Sequence, residues 1–259
     1  MELNPVITML GGRLRLAVIG GGPGSFIGAM HRQAARFDDR YELVTGILSS
    51  NPARAKKAGL EIGLTAERLY ANVQEMLDSE SARKDGPEVV AIVTSNDSHY
   101  EYAFAALEHG FDVICDKPTT LQEAEALHSK VKASGLVFCL THNYTGYPMV
   151  REAKAMVEDG QLGIIRLVQV EYVQAGKADE NKPVPTNPPP WRSDPIRGGP
   201  SLVMGDIGSH AHNLIRFIIG LEITSDQRAS VREYGEPTGS LFSEFMGWAV
   251  RCTVCKQRN

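Results

Sequence analysis

"LAVIGGGPGSFIGAMH", residues 16–31, is the stretch on which the fold of the first half of this chain turns. Leu16 to Ile19 run without a polar interruption into a cluster of glycines, and the cluster opens onto a helical pattern. A short continuous apolar run fits a strand buried on both faces, as in a parallel sheet. Gly20 and Gly22 stand where a strand-to-helix turn that approaches a pyrophosphate needs its two leading glycines. The third glycine of that spacing falls on Ser25, and Gly28 takes its place after a loop three residues longer. The physical device survives the insertion, because amide N–H groups at a helix start still face the phosphates and the helix dipole still favours their charge.

Working outward, the same rhythm repeats. Apolar, β-rich runs stand at 13–20, 41–48, 88–94, 111–116 and 136–142, and amphipathic or alanine-rich stretches at 25–37, 52–58, 72–80, 98–109 and 120–133 separate them. Asn51-Pro52 reads as an N-cap and first helical turn, and "EHG" at 108–110 ends a helix on glycine. Alternating β and α elements with apolar strands predict an α/β fold: a Rossmann-type, doubly wound parallel sheet over residues 1–142.

After His142 the rhythm changes. Residues 146–160 predict a helix ended by Gly160, and "IIRLVQVEYVQ" (164–174) a long strand. "NKPVPTNPPPWRSDPIRGGP" (181–200) is too rich in proline and glycine for regular structure, and a loop of that length reads as functional. It leads into an apolar helix from Ser201 to Ile219. A second domain is therefore expected over 143–259.

Composition narrows the function classes. Lys and Arg number 27 against 31 Asp and Glu, so no basic excess points to nucleic acid. The longest apolar stretches are too short and interrupted to span a bilayer, and the N-terminus lacks a basic n-region. A cytoplasmic protein is expected. Cys115 and Cys139 read as small core residues, and Cys252 with Cys255 as one isolated CxxC without a second pair.

The candidate chemistry clusters at three places. Where the second strand ends, an acid often holds a ribose; here the position falls on Ser49 or Ser50, with Arg54 and Lys56 nearby. Two hydroxyls and a basic neighbour suit either a plain ribose or a 2′-phosphate, which leaves NAD and NADP both open. "VTSNDSHYEYA" (93–103) supplies a polar loop expected to cap the next helix and to line the carboxyl edge of the sheet. "VICDKPTTL" (113–121) puts Lys117 just past a buried strand, where Pro118 disfavours helix and keeps it extended. The residues expected along the cofactor crevice are Gly20, Gly22, Ser25, Phe26, Ile27, Ser49, Ser50, Arg54, Thr94, Asn96, His99, Asp116 and Lys117.

The third place is "GDIGSHAHNL", where Asp206 and His210 sit four residues apart and share a face of an otherwise apolar helix. Polar groups there need partners. Facing a nicotinamide, His210 takes the hydroxyl proton of an alcohol, Asp206 binds the same hydroxyl or orients the imidazole, and Lys117 stabilises the alkoxide-like oxygen. His212 falls two positions away and reads as structural. A metal site on Asp206, His210 and His212 lacks a further ligand at matching spacing, so no metal is expected.

Together the glycine loop, "CDKP" and Asp206-x-x-x-His210 resemble the glucose–fructose oxidoreductase / inositol dehydrogenase (Gfo/Idh/MocA) family over residues 13–224. "HNYTGYPMVREAK", "GQLGIIRLVQVEYVQ" and "PPPWRSDP" look like a branch acting on sugars, anhydrosugars and glycosides. The resemblance implies a Rossmann domain joined to an α/β domain with a mainly antiparallel sheet, which oxidises a ring CH–OH of a sugar or cyclitol with NAD or NADP. It implies Lys117, Asp206 and His210 as the catalytic set and Asn143, Tyr144, Trp191 and Arg192 as substrate contacts. The departure lies after Thr224, where "SDQRASVREYGEPTGSLFSEFMGWAVRCTVCKQRN" reads as an unrelated tail without strand alternation. That implies a truncated second domain, with homo-oligomerisation depending on how complete its sheet is. The alternative function is a nucleotide-binding remnant or regulatory protein that turns nothing over.

Overall fold

Strand β1 (Leu14–Gly20) is the axis of the first half of the chain. The structure, a computed structural model, describes residues 5–117, 120–174, 206, 208–221, 229–232 and 248–255. They fall into two compact units, Met1–Thr141 and His142–Asn259.

After a short helix α1 (Pro5–Leu10), the first unit builds a five-stranded sheet in the order β2-β1-β3-β4-β5. Its other strands are β2 (Tyr41–Ile47), β3 (Val89–Val93), β4 (Asp112–Cys115) and β5 (Phe138–Leu140), and every pairing is parallel. Helices α2 (Phe26–Arg36), α3 (Pro52–Glu61), α4 (Val73–Ser81), α5 (His99–Glu108) and α6 (Leu121–Ser134) connect them.

Strand alternation explains the two core layers. Ala17, Ile19, Val90, Ile92, Val113 and Cys115 enter one cluster with Met76, Leu77, Ala103, Ala106 and Leu107. Leu16, Val18, Val89, Ala91 and Val93 enter the other with Leu48 and Ala58. Successive side chains of a strand point to opposite faces, so a run apolar at every position feeds both layers. Each fully buried aliphatic side chain contributes about 1.5–3 kcal/mol.

Local signals fix the helix ends. Asn51 Oδ1 accepts the Arg54 amide at 3.0 Å, and Asn72 Oδ1 accepts that of Glu75 at 2.9 Å. Thr120 and Glu123 form a reciprocal capping box, and α6 ends on Gly135 at φ 71. The cap expected from "SNDS" does not form. Ser98 makes no side-chain cap bond to α5; its Oγ donates to Thr94 Oγ1 at 2.8 Å and to the Ser95 carbonyl at 3.0 Å. A short 3-10 turn over Asn96–Ser98 holds Ser98 at helical dihedrals, which withdraws it from the extended geometry a cap needs.

Strand β5 is also less buried than its apolar run suggests. It ends the sheet, with a partner on one side only, and Cys139 is exposed while Cys115 is buried. The expectation of two core cysteines therefore holds for Cys115 alone.

The second unit carries helices α7 (Pro148–Glu158) and α8 (Ser209–Ile219) and a sheet in the order β6-β8-β7. The strands are β6 (Leu167–Gln174), β7 (Ala229–Arg232) and β8 (Trp248–Cys255), all antiparallel. Ile215 of α8 is buried against Val168 and Val170 of β6. Both described helices end on left-handed glycines, Gly160 at φ 71 and Gly220 at φ 65.

Strands β7 and β8 correct the expectation of a tail without strand structure. "WAVRCTVC" alternates Trp248, Val250, Cys252 and Val254 with Ala249, Arg251, Thr253 and Cys255, and all eight residues pair with β6. A period of two is a strand signal even when interrupting positions are short or weakly polar. Cys252 and Cys255 are register positions on β8, opposite Val170 and Leu167.

Candidate functional site

The order β2-β1-β3 reverses direction at β1, so the crevice outside the carboxyl ends of β1 and β3 is where this kind of sheet takes its ligand. Gly20 pairs with Val93 there, which sets the glycine loop beside Thr94. Gly20, Gly21 and Gly24 have φ of 92, 69 and 84. A Cβ on Gly22 would stand 2.0 Å from the Leu48 carbonyl oxygen, and one on Gly28 would stand 2.3 Å from the Gly21 Cα. Gly28 thus performs the close helix-to-strand packing expected of the third glycine, and its partner is Gly21, which the spacing rule did not single out.

Ser25 caps α2, its Oγ accepting the Gly28 amide at 3.2 Å. Arg32 Nη1 donates to the Gly21 carbonyl at 2.5 Å, and the first turn of α2 carries no acid. A cradle of bare backbone at the start of an 11-residue helix, with no negative charge in its first turn, fits a dinucleotide pyrophosphate. Phe26 is exposed at the first position of α2, followed by exposed Ile27. Ser49 Oγ accepts the Asn51 amide at 3.2 Å, while Ser50 and Arg54 are exposed.

The neighbouring strand ends are tied together. His99 is 1% exposed, its Nδ1 2.7 Å from the Lys117 carbonyl oxygen and its Nε2 3.1 Å from that of Thr94. The ring that the sequence suggests as a cofactor contact is thus a brace between the loops after β3 and β4. Asn96, earlier in the same loop, is also buried. Thr141 donates its hydroxyl to Asp116, and His31 Nε2 lies 3.8 Å from the same carboxylate. Burial pushes the Asp116 carboxyl up, but the nearby His31 imidazole and the Thr141 hydrogen bond, with the charges of His31 and His99, outweigh it, and the group sits below its ordinary range. Lys117 is half-buried, and Pro118 lies outside the described residues. The contacts of His31 and Thr141 with Asp116 were not legible in the sequence, because each reaches the carboxylate only through the fold.

In the second unit, Asp206 and Gly208 are assigned to a wider π-type turn, and the helix α8 follows from Ser209. Residues 201–205 and 207 lie outside the described residues. His210 is half-buried among aromatic rings. Its ring centroid lies 5.0 Å from that of Tyr144, 5.5 Å from that of His142 and 6.2 Å from that of Tyr172. The hydroxyls of Tyr144 and Tyr172 are hydrogen-bonded to each other. Burial first, and then the bond to Tyr172, raise the Tyr144 phenol well above its ordinary range. Asn143 is exposed at the start of a 3-10 turn, and His212 is exposed on α8, not a core residue. Trp191 and Arg192 lie outside the described residues. His142 and Tyr172 are the aromatic partners that sequence alone did not identify; the alternation of "LVQVEYVQ" was their only signal, and only for Tyr172.

The doubly wound sheet and its glycine cradle define a dinucleotide-binding protein of the Rossmann class. Residues 14–155 match the family model described as "Oxidoreductase family, NAD-binding Rossmann fold", and residues 150–239 match the "GFO/IDH/MocA C-terminal domain". The chain belongs to the GFO/IDH/MocA oxidoreductase family. It is 37% identical over 209 residues to the uncharacterized oxidoreductase YfiI of Bacillus subtilis, covering 80% of this chain and 53% of that one. It is 32% identical over 176 residues to levoglucosan dehydrogenase of Pseudarthrobacter phenanthrenivorans, covering 67% and 42%. Among solved structures it resembles an inositol dehydrogenase homolog of Azotobacter vinelandii complexed with NAD+, at TM-score 0.74 and 34% identity over 84% of this chain and 55% of that one. The chain spans about half the length of these relatives. Among the described residues no helix is long and apolar enough to cross a membrane, and no cluster of three metal-ligating side chains occurs.

Proposed function

We propose that this chain carries the site of an NAD-dependent dehydrogenase that oxidises a ring CH–OH of a sugar, anhydrosugar, glycoside or cyclitol. The observation that carries the reading is His210, seated among three aromatic rings one helical turn after Asp206. An imidazole so enclosed is a suitable general base for an alcohol, because the surrounding rings exclude water while the nearby carboxylate stabilises the charge it acquires. The names of two relatives, levoglucosan dehydrogenase and scyllo-inositol 2-dehydrogenase (NAD(+)), support the substrate class.

In this reading the pyrophosphate rests on Gly20, Gly22 and the start of α2, near Ser25, Phe26 and Ile27. Ser49 and Ser50 bond the ribose hydroxyls, with Arg54 at the edge. Thr94, Asn96 and Asp116 line the crevice toward the reacting end, and His99 holds the backbone on both sides of it. Bound NAD supplies the hydride acceptor. His210 receives the hydroxyl proton, Asp206 orients the imidazole or the hydroxyl, and Lys117 offsets the negative charge that develops on oxygen. Asn143 and Tyr144, with Trp191 and Arg192, bind the remaining hydroxyls of the ring.

The test is direct. NADH formation is followed with inositols, aldoses, glycosides and levoglucosan, with NADP run in parallel. Turnover on one polyol class that falls by roughly 100-fold or more, to a residual rate, in Lys117→Ala and in His210→Ala, while the nucleotide Kd stays within a few-fold, supports the reading. Nucleotide binding without turnover on any member overturns it in favour of a binding protein.

A further inference from the structure

We infer that Tyr172, locked to Tyr144 through their hydroxyls, is a positioning residue that fixes the plane of the His210 imidazole. The inference rests on the dehydrogenase reading for the role of His210, and on geometry for everything else. The Tyr172 ring lies nearly parallel to that of His210, at 19° and 6.2 Å between centroids. The Tyr144 ring stands across it at 81° and 5.0 Å, and the His142 ring at 87° and 5.5 Å. One stacked and two edge-on neighbours leave the imidazole little freedom to rotate about its ring torsion, which is otherwise broad and soft.

The three walls come from separate elements. His142 and Tyr144 flank the start of the 3-10 turn Asn143–Gly146, Tyr172 stands on β6, and His210 on α8. The bond between the two phenols joins the turn to the strand. Tyr172 has no need to touch a substrate: it holds Tyr144 and shields one face of the imidazole. A base aimed by its neighbours transfers a proton at a rate set by that aim, and a misplacement of about 1 Å can cost on the order of 100-fold.

Tyr172→Phe keeps the stacked ring and cuts the tie to Tyr144; Tyr172→Leu removes both. The whole chain is measured with NAD and the substrate found for the wild type, alongside the imidazole resonances of His210 in the nucleotide-free protein. Tyr172→Leu is expected to lower kcat by roughly 10- to 100-fold with substrate KM within about threefold, and Tyr172→Phe to retain most of the rate. The His210 ring resonances are expected to move in Tyr172→Leu and to stay near wild type in Tyr172→Phe. In a His210→Ala background, Tyr172→Leu is expected to cause no further loss, because its effect passes through the imidazole. Unmoved His210 resonances in Tyr172→Leu, or an equal loss in both backgrounds, would overturn the inference. A wild type that turns over no polyol refutes the dehydrogenase reading instead, and the resonance comparison still decides whether Tyr172 sets the ring.

Discussion

Gly21 and Gly28 meet so closely that a Cβ on Gly28 would lie 2.3 Å from the Gly21 Cα and 2.3 Å from its carbonyl oxygen. That contact lets α2 start hard against the end of β1, which puts the helix N-terminus over the cradle. Gly28→Ala is expected to cost about 1–3 kcal/mol of stability through overpacking and to weaken NAD binding, as α2 is pushed away. Urea unfolding together with nucleotide titration checks both effects, and unchanged Kd and unchanged stability would show that the contact is not needed.

Gly22 tests the cradle from the opposite side. Its substituent would meet the backbone oxygen of Leu48 at 2.0 Å, which no rotamer relieves. Gly22→Ala is expected to lower NAD affinity by at least roughly 10-fold, read by fluorescence titration.

The brace at His99 links the Thr94 and Lys117 carbonyls in a buried setting. His99→Ala leaves both oxygens without this partner, at a cost of about 1–3 kcal/mol for a buried group left unsatisfied. Because Lys117 hangs from the released loop, kcat is expected to fall more than NAD affinity does. Steady-state kinetics and a Kd measured on the same preparation separate the two.

Asp116 makes stability depend on acid pH. Burial opposes its ionisation, yet His31, Thr141 and the charge of His99 hold its carboxyl below the ordinary range. A group with a depressed folded pKa stabilises above its unfolded value of about 3.9 and loses that contribution as pH falls through the folded value. Asp116→Asn is therefore expected to be less stable than wild type near neutrality, and the gap is expected to close below about pH 4. Thermal unfolding of both proteins across that window is the measurement.

Glu80 offers a control remote from the chemistry. It is 1% exposed, accepts a 2.9 Å bond from Arg68 Nε and a 2.8 Å bond from the Tyr70 hydroxyl, and pairs with the second Arg68 nitrogen. Burial, followed by Glu80, pushes the Tyr70 phenol up to about 12. Glu80→Gln is expected to cost about 3–5 kcal/mol by removing the buried carboxylate that pairs with Arg68, which keeps only its contacts with Asp85, and to lower the Tyr70 phenol part of the way, since its burial remains. Chemical denaturation and ultraviolet titration of the phenol read the two outcomes.

Where sequence spoke through local physics, it was legible. Apolar runs identified all five strands of the first sheet, Asn51 announced its own cap, and the glycine loop marked the crevice. Where meaning depends on partners distant in the chain, it was not. Cys139 looked like core because nothing in "LVFCLTH" says that β5 is the last strand. Ser98 looked like a cap until a 3-10 turn claimed it, and β8 was hidden because its alternation includes alanine and cysteine at interrupting positions. His142 and Tyr172 surround His210 only after β6, α8 and the turn at Asn143 come together.

The most direct measurement is NADH formation by the purified chain with levoglucosan and the inositols, compared among wild type, Lys117→Ala and His210→Ala. Turnover by the wild type, a loss of roughly 100-fold or more in each variant, and a nucleotide Kd within a few-fold throughout is the predicted result. Variants that keep the wild-type rate, or a wild type that binds NAD and reduces none with any polyol, would contradict the assignment.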